Sequence, residues 1–315
     1  MITKVTEVLQ YKESGIVAIK IAIDAGHGSN TAGKRTPPFP KDVKISDKLT
    51  VKKGEQLKEH IANVGVAYLL EQELKRCGFE TIRTGWDNDN AFDDPDRPVG
   101  DRQKIIASAA CDYSVSIHFN AYGDGASFNS AEGVGVYIHD KQSGKSKKLA
   151  ETVLKHLIKG TSQKNRGVNT ASLAMCNVKN LNVKEAILVE LAFMTNEREA
   201  LTMMANEAFW KESAVEIASG LCEYTGVKYI PEKYVPTKSI TPKSSNVDIK
   251  WAQEKLNLVI PTWLPKLSVD GDYGPKTRIA VLVYWDALGW GKHMNDDGKK
   301  IGKATLEALA EGRKK

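Results

Sequence analysis

The chain has 315 residues, 41% hydrophobic and 27% charged, which is ordinary for a globular protein, and the length suggests about two domains. No run of about 18 apolar residues is present, so the sequence contains no candidate membrane-spanning helix. Lys and Arg exceed Asp and Glu by 45 to 39, a net charge of +6, but no zinc finger or aromatic-interleaved basic motif accompanies this excess, so nucleic-acid binding is not indicated.

The chain begins with a polar segment, residues 1–15, for which an extra edge strand is one interpretation. This segment lacks the charged-then-apolar layout and the small-residue cleavage site of a signal peptide. We therefore expect the protein to stay in the cytoplasm until some other event releases it.

The first predicted strand ends in a histidine. Residues 19–28 read IKIAIDAGHG, a short alternating apolar run rich in β-branched residues that stops abruptly in small residues. Gly26 and Gly28 flank His27, and without a Cβ they allow a sharp turn and the close approach of a ligand. The pattern predicts a buried strand that brings His27 to the edge of a sheet.

A long loop and a helix come next. Residues 29–54 contain three prolines and many lysines, and we expect this loop to overhang a site. Residues 55–76 carry an apolar stripe at helical spacing, with Glu59 and Asn63 one turn apart on another side. For Glu59 alone, the simplest interpretation is an acid that complements the helix dipole in the first turn.

Residues 79–84 are predicted to form the second strand, and an acidic loop follows it. The loop superficially resembles a calcium loop. It departs from the EF-hand pattern because Ala91 occupies the fifth position, where Asp or Asn is needed. We expect a solvated loop and keep calcium binding as the alternative. Residues 102–110 then form a short helix.

Two further predicted strands carry residues that can bind a metal or transfer a proton. Residues 113–118 form an alternating strand that ends in His118. Residues 186–191 are apolar except for Glu190, and a charge inside a buried strand is unfavourable unless it is paired or linked to a metal. The remaining predicted elements are a strand over 133–139, a helix over 147–158, a loop and strand over 166–176 and helices over 196–224.

Together, His27, Glu59 and His118 supply two imidazoles and one carboxylate, a set typical of hydrolytic zinc sites with one position left for water. Glu190 is then available as a general base and general acid. Asp24, at the end of the first strand, is a candidate for orienting a ligand imidazole. No HExxH helix is present, which excludes a zincin.

Four short blocks resemble the motifs of the zinc-dependent N-acetylmuramoyl-L-alanine amidases, the amidase-3 family, in the family's order. They are DAGHG (24–28), EHIAN (59–63), SIHFN (116–120) and VELAFMTN (189–196). The resemblance covers residues 18–226 and implies a twisted mixed sheet with helices on both faces. It also implies one Zn²⁺ per chain on His27, Glu59 and His118, with Glu190 catalytic. Glu55 rivals Glu59 one turn away, although the spacing to Asn63 favours Glu59.

Asn63 and Asn120 lie within these blocks, and we expect them, like Asp24, to support the ligands or contact the substrate. The implied reaction is hydrolysis of the amide between the lactyl group of N-acetylmuramic acid and L-alanine of peptidoglycan. The insert at 29–54 and the acidic loop depart from the family pattern.

A second unit follows the catalytic region. Residues 228–247 have the Pro, Ser and Lys content of a solvated linker, and residues 248–315 read as a small helical domain. The turn SVDGDYGPKT before a helix resembles that of helical peptidoglycan-binding domains. Trp251, Tyr273 and Trp285 are candidates for contacting the wall by stacking on sugars, although tryptophan in a small domain more often belongs to the core, which is the favoured interpretation for the tryptophans.

The sequence thus predicts a catalytic domain over 1–227, a linker and a wall-binding domain from 248, acting together on bacterial peptidoglycan. The missing signal peptide favours a phage or prophage endolysin. The alternatives are a host autolysin with the same activity, a zinc peptidase that cuts within the stem peptide, and a wall-binding protein without activity.

Overall fold

The computed structural model describes residues 18–232, 234–290 and 297–314, and these fall into two compact units that divide between Pro231 and Glu232. The edge strand considered for residues 1–15 lies outside the described residues. His293, which has no matching partner ligands in the sequence and is therefore expected not to bind metal, lies outside them too. Among the helices of the described residues, none is long and apolar enough to cross a membrane.

The first unit is built on a mixed six-stranded sheet. Its strands are β1 (Lys20–Ala25), β4 (Glu80–Thr84), β5 (Tyr113–Asn120), β6 (Val134–His139), β7 (Asn165–Ala171) and β8 (Glu185–Phe193). They lie in the order β4-β1-β5-β8-β6-β7, and all neighbouring strands run parallel except β6 and β8, which are antiparallel. A separate two-stranded hairpin joins β2 (Val43–Lys44) and β3 (Thr50–Val51).

The helices of this unit lie between and after the strands. They are α1 (Glu59–Arg76), α2 (Val99–Ser108), α3 (Ser143–Leu157), α4 (Val178–Leu181), α5 (Glu197–Glu199) and α6 (Glu207–Thr225). Short 3₁₀ turns occupy Asp140–Gln142 and Ala174–Cys176, and a π-helical turn, Ala200–Met204, follows α5.

Alternation along the strands gives the sheet two apolar faces. In β1, Ile21 and Ile23 belong to the main core, which includes residues of α1, α3 and α6. Ala22, between them, packs in a smaller core with Ile106 of α2 and Leu181 of α4. The predicted fold, a mixed sheet with helices on both faces, is confirmed.

The strand order places a reversal point between β1 and β5. The chain leaves β1 to form β4 on one side and then returns to form β5 on the other side. In open α/β sheets, ligands bind beyond the carboxyl ends of the strands at such a point. His27 follows β1 and His118 lies near the end of β5, so both reach this edge.

Helix α1 begins at Glu59 and not at residue 55 as predicted. The preceding residues are held extended: the Leu57 N–H donates to Thr36 Oγ1 at 2.9 Å, and Lys58 forms an isolated bridge with Arg35. Glu59 therefore lies in the first helical turn, at the end nearest the sheet edge.

The acidic loop after β4 is not simply solvated, which corrects the prediction. Trp86, Ala91 and Asp94 are buried. The main-chain oxygen of Asp94 accepts a hydrogen bond from the Ser29 N–H at 2.8 Å, so the loop packs against the segment that follows His27. The predicted overhanging loop, 29–54, folds through the β2–β3 hairpin onto the main core.

The second unit contains α7 (Asn246–Val259), α8 (Pro275–Ala287) and α9 (Lys303–Ala310) around a core of its own. Ser245 caps α7 by accepting from the Asp248 N–H. The segment predicted as a solvated linker is solvated only in part, because Ile240 is fully buried and pairs with Ile301 through two main-chain hydrogen bonds. The catalytic and wall-binding roles of the two units, with their exact boundaries, stay predictions.

Candidate metal centre

His27 lies on a backbone that needs support from its surroundings. Its φ is +62°, in the left-handed region that few residues other than glycine adopt. Gly26 leaves room for a neighbour, since a Cβ there would lie 2.1 Å from Cε1 of the His118 ring. The sequence predicts that this small residue admits a ligand; in the structure the space is taken by the second histidine.

Glu59 joins the two histidines and is 1% exposed. Its Oε2 lies 3.2 Å from Nε2 of His27, and its Oε1 lies 3.1 Å from Nδ1 of His118. The Phe119 main-chain N–H also donates to Oε1, at 3.1 Å. Burial alone would raise the pKa of Glu59, but hydrogen bonds from His118 and His27 outweigh it and hold this pKa well below its usual range. Glu59 is thus an ionised carboxylate between two imidazoles.

The three side chains converge on one point. Their ligand atoms all lie within 4.8 Å of one another, and no other group of three His, Cys, Asp or Glu among the described residues does this. The two imidazole rings stand nearly perpendicular, at 89°, with centroids 4.9 Å apart. Two imidazole nitrogens and a carboxylate oxygen suit a divalent metal ion, whose charge would balance the buried anion. The residues therefore fit a metal site.

Glu190 lies beside His118 because β5 and β8 are parallel and pair these two residues in register. Paired residues of neighbouring strands project from the same face of a sheet. The Oε2 atom of Glu190 is buried without a hydrogen-bond partner. Burial raises the pKa of Glu190 to about 8; the charge of His118 opposes this shift and that of Glu59 adds to it. A carboxyl group with such a pKa can both accept and donate a proton near neutral pH.

The raised pKa of Glu190 predicts a pH-dependent stability of the metal-free protein. A glutamate in the unfolded chain titrates near 4.3, whereas Glu190 in the folded protein titrates at about 8. The folded state therefore holds an extra proton between these values, and its free energy of unfolding falls as the pH rises through this window. Glu190→Gln should remove this loss and be more stable than wild type at pH 8 by a few kcal/mol, at about 1.4 kcal/mol per pKa unit.

Urea denaturation of both metal-free proteins at pH 5 and pH 8 measures this difference. Glu59 and His118 are present in both proteins: Glu59 contributes stability above its unfolded pKa that is lost at acid pH, and His118, whose pKa is raised, contributes stability that is lost as the pH rises. The difference between the two proteins therefore reports the titration of Glu190 together with its effect on these two neighbours. A stability difference that does not grow from pH 5 to pH 8 would contradict the assignment of the raised pKa to Glu190.

Asp24 is engaged away from the imidazoles. Its Oδ1 accepts from Thr84 Oγ1 at 2.7 Å and from Arg102 Nη1 at 3.0 Å, and its Oδ2 accepts from Ser116 Oγ at 2.5 Å. The prediction that Asp24 orients a ligand imidazole directly is therefore wrong, because both oxygens serve other donors. Its connection to His27 runs through Arg102, which donates to the His27 main-chain oxygen at 2.6 Å.

The two predicted asparagines differ. Asn63 is buried, and its Nδ2 donates to Glu59 Oε1 at 3.2 Å and to the Gly26 main-chain oxygen at 3.0 Å. It therefore touches one candidate ligand and the residue before another. The Oδ1 of Asn120 accepts from the neighbouring Ala121 N–H at 2.8 Å, a local turn contact. A substrate role for Asn120 stays a prediction.

The other histidines and the rival acid lie outside the cluster. Glu55 is exposed and accepts a hydrogen bond from the loop before it, so it does not compete for the metal. His60 is buried, with Nδ1 3.2 Å from the Gly26 main-chain oxygen, and burial lowers its pKa. His139 and His156 each lie beside a carboxylate elsewhere in the unit.

The aromatic residues predicted to contact the wall are largely internal. Trp251 and Tyr273 are buried in the core of the second unit, and the Tyr273 hydroxyl donates to the Gly298 main-chain oxygen at 2.8 Å. Trp285 is partly buried, and its Nε1 donates to a threonine hydroxyl. Their burial excludes stacking of Trp251 and Tyr273 on sugars, so these two candidate wall contacts are wrong, whereas the core position favoured for the tryptophans is the one that Trp251 occupies. The exposed tryptophan of this unit is Trp263, at 71%.

Arg102 is a residue of the site that was not predicted from the sequence. It is one of two buried residues of α2, the other being Ile106, and the two lie four positions apart on the face that packs against the sheet. The available signal was an arginine on the apolar stripe of a short helix. An arginine in that position has to find buried acceptors, and Arg102 finds them beside His27.

The family model for N-acetylmuramoyl-L-alanine amidase, Amidase_3, matches residues 21–223. This span contains β1 except for Lys20, the strands β2 to β8 and all four residues of the candidate site. No curated protein matches the chain.

Solved amidase structures share the fold. The N-acetylmuramoyl-L-alanine amidase from Clostridium difficile 630 is 25% identical, with a TM-score of 0.53 over 67% of this chain and 98% of that chain. The catalytic domain of CwlV, an N-acetylmuramoyl-L-alanine amidase from Bacillus (Paenibacillus) polymyxa var. colistinus, is 25% identical, with a TM-score of 0.51 over 67% and 99%. AmiC2 of Nostoc punctiforme, at 24% identity and a TM-score of 0.52 over 67% and 99%, supports the fold alone.

Proposed function

Because this chain belongs to the N-acetylmuramoyl-L-alanine amidase family, Amidase_3, we propose that its amidase activity on peptidoglycan depends on one zinc ion held by His27, Glu59 and His118. The observation that carries the proposal is the convergence of the three ligand atoms within 4.8 Å of one another. The pairing of Glu190 in register with His118 supports its proposed role as the group that transfers the proton.

Zinc bound there would act as a Lewis acid toward the amide carbonyl and would lower the pKa of a water molecule toward about 7. Glu59 contributes the single negative charge of the ligand set, and its hydrogen bonds to Asn63 and to the Phe119 N–H fix its orientation. The rigid strand and helix ends keep the ligands in place without substrate.

Glu190 carries the proton in the proposed reaction. Its carboxylate takes a proton from the attacking water, whose oxygen bonds to the carbonyl carbon of the lactyl group. The protonated Glu190 then gives this proton to the nitrogen of L-alanine as the carbon–nitrogen bond breaks. The products are a lactyl carboxylate and a stem peptide with a free amino group. In the metal-free protein burial raises the pKa of Glu190, which supports its role in taking up and releasing the proton.

Mass spectrometry of purified peptidoglycan after digestion tests the proposed function. The amidase is expected to release intact stem peptides that begin with L-alanine and to leave glycan strands with free lactyl groups. New amino groups within the stem peptide would instead identify a zinc peptidase. Binding to walls without any new ends, with zinc added, would identify an inactive wall-binding protein. Glu190→Gln is the matched control for contaminating hydrolases.

We further propose that the second unit holds the enzyme on the wall. Deletion of residues 232–315 removes it at the observed division between the units. The remaining unit is expected to fold and to digest small soluble wall fragments at the wild-type rate, because the whole candidate site lies before residue 194. Its activity on intact walls should fall by up to about 10²-fold, because a tethered second contact raises the effective concentration.

Co-sedimentation with purified walls measures the lost attachment. Trp263→Ala in the full chain tests the exposed tryptophan as a contact, with exposed Leu258→Ala as the matched control. Wall binding by the truncated protein that equals wild type would contradict the role of the second unit.

The biological setting stays a prediction: a phage or prophage endolysin, stored in the cytoplasm until lysis and then acting on the wall, with a host autolysin as the alternative. Immunoblots of fractionated producing cells separate the two. An endolysin is expected outside the cells only after lysis begins, whereas an autolysin is found on the walls of growing cells.

A further inference from the structure

Three consecutive main-chain oxygens around His27 are held by side chains. Arg102 donates from Nη1 to the Ala25 oxygen and from Nη2 to the His27 oxygen, each at 2.6 Å. The oxygen of Gly26, between them, accepts from Asn63 Nδ2 at 3.0 Å. Asn63 of α1 and Arg102 of α2 therefore both hold the backbone of this candidate ligand by hydrogen bonds.

Arg102 is itself immobilised. Its side chain is 3% exposed, and its guanidinium lies between two carboxylates, Asp24 Oδ1 at 3.0 Å and Asp96 Oδ1 at 2.8 Å. Its Nε donates to the main-chain oxygen of Arg97 at 2.8 Å. The five N–H donors of the planar guanidinium serve three carbonyls and two carboxylates at once, which the single ammonium of a lysine cannot do.

The backbone segments next to this guanidinium leave space for it and make contacts with it. Gly85 has a φ of +82°, and a Cβ there would lie 2.4 Å from Arg102 Nη1 and 2.2 Å from the Ala25 oxygen. Asp96, the exposed partner of the guanidinium, also accepts from Thr31 Oγ1 at 2.6 Å. The loop that brings Asp96 is thereby fastened to the segment just after His27.

His27 needs such support because its φ is +62°. Left-handed backbone is unfavourable for a residue with a side chain and persists where the surroundings over-determine it. In this conformation Nε2 of His27 faces Glu59 at 3.2 Å. If the backbone relaxed toward the right-handed or extended region, the imidazole would turn away from the other two ligands.

We propose that Arg102 is a positioning residue for the metal site: its guanidinium holds the main-chain oxygens on both sides of His27 and so keeps the imidazole aimed at the metal. The proposal rests on the proposed role of His27 as a zinc ligand. Arg102 touches neither metal nor substrate in this account, and it acts only through the backbone of His27.

The test compares Arg102→Lys with Arg83→Lys. Arg83 also pairs with a buried carboxylate, Glu71, but lies on β4 away from the ligands, so it controls for the loss of an arginine ion pair. The dissociation constant of the metal-free protein for Zn²⁺ is measured by competition with a chromophoric chelator, together with the melting temperature without metal. Arg102→Lys is expected to bind Zn²⁺ about 10- to 100-fold more weakly than wild type.

Arg83→Lys should keep the wild-type affinity even where it lowers the melting temperature. A folded Arg102→Lys protein with wild-type zinc affinity would overturn the proposal and leave the proposed function intact. A wild-type protein that binds no zinc would instead overturn the metal role of His27, and the proposal with it.

A second variant keeps the test decisive if Arg102→Lys does not fold. Asp96→Asn removes one carboxylate from the guanidinium of Arg102 at a partly exposed position. Asp101→Asn is its control, because Asp101 lies on α2 next to Arg102 but pairs with Lys104 on the surface. Asp96→Asn is expected to weaken zinc binding by several-fold relative to Asp101→Asn. Equal affinities of these two variants would overturn the proposal.

Discussion

Replacement of Glu190 by glutamine is expected to lower the turnover number by about 10²- to 10⁴-fold while the zinc content stays at one ion per chain. Glutamine keeps the size of the side chain but cannot take a proton from water or return it to the leaving nitrogen. The three candidate ligands are on other elements, so their geometry is unaffected. Hydrolysis of purified peptidoglycan and elemental analysis measure the two quantities on the same sample.

Glu185→Gln is the matched control. Glu185 lies at the start of the same strand, where its carboxylate accepts a hydrogen bond from the Tyr224 hydroxyl. This variant should turn over at close to the wild-type rate. Loss of zinc from Glu190→Gln, or a wild-type rate in it, would contradict the assignment of Glu190 as the group that transfers the proton.

Replacement of His118 by alanine is expected to remove zinc and activity together. His118 supplies one of the nitrogen donors, and in the metal-free protein the same nitrogen, Nδ1, lies 3.1 Å from Oε1 of Glu59, so its loss leaves two ligands and a buried carboxylate with one partner fewer. Zinc content should fall to a small fraction of one ion per chain, and peptidoglycan hydrolysis should fall below detection. His27→Ala is expected to give the same result.

Thermal denaturation adds a measurement that does not depend on activity. A metal that binds only the folded state stabilises it by about 4 kcal/mol when its free concentration is 1,000 times the dissociation constant. Wild type should therefore melt at a lower temperature after chelation, and His118→Ala should show no such response. His156→Ala, at a histidine paired with Glu223 on the surface, should respond like wild type. A zinc-dependent melting temperature in His118→Ala would contradict its role as a ligand.

Much of the site could be predicted from the sequence because strand ends are locally encoded. An alternating apolar run that stops at His27, and a second one that stops at His118, both predict delivery to one edge, since parallel strands share their carboxyl ends. Glu190 stood out because a charge in a buried strand needs a partner. The order of the four blocks then identified the family.

Contacts between distant segments could not be predicted in the same way. The register that places Glu190 beside His118 depends on how β5 and β8 pair, and nothing local specifies it. For the same reason the engagement of Asp24 with Arg102, 78 positions away, was missed and an imidazole partner was expected instead.

The candidate wall contacts Trp251 and Tyr273 were also wrong, because both residues are buried in the second unit. Tryptophan and tyrosine carry both apolar and polar surface, so their residue types fit a sugar platform as well as a small core. The helix packing that buries Trp251 and Tyr273 decides between the two, and it arises from residues throughout the unit. Ile240, in the predicted linker, belongs to this core, so the core extends further toward the N-terminus than the sequence predicted.

Anomalous X-ray scattering from crystals of the zinc-loaded protein, recorded at energies on both sides of the zinc edge, locates the metal directly. One zinc peak per chain is expected, within about 2.0–2.2 Å of Nε2 of His27, Nδ1 of His118 and an oxygen of Glu59. A zinc peak bound by other residues, or fully loaded crystals without a peak between these three side chains, would contradict the proposed zinc site.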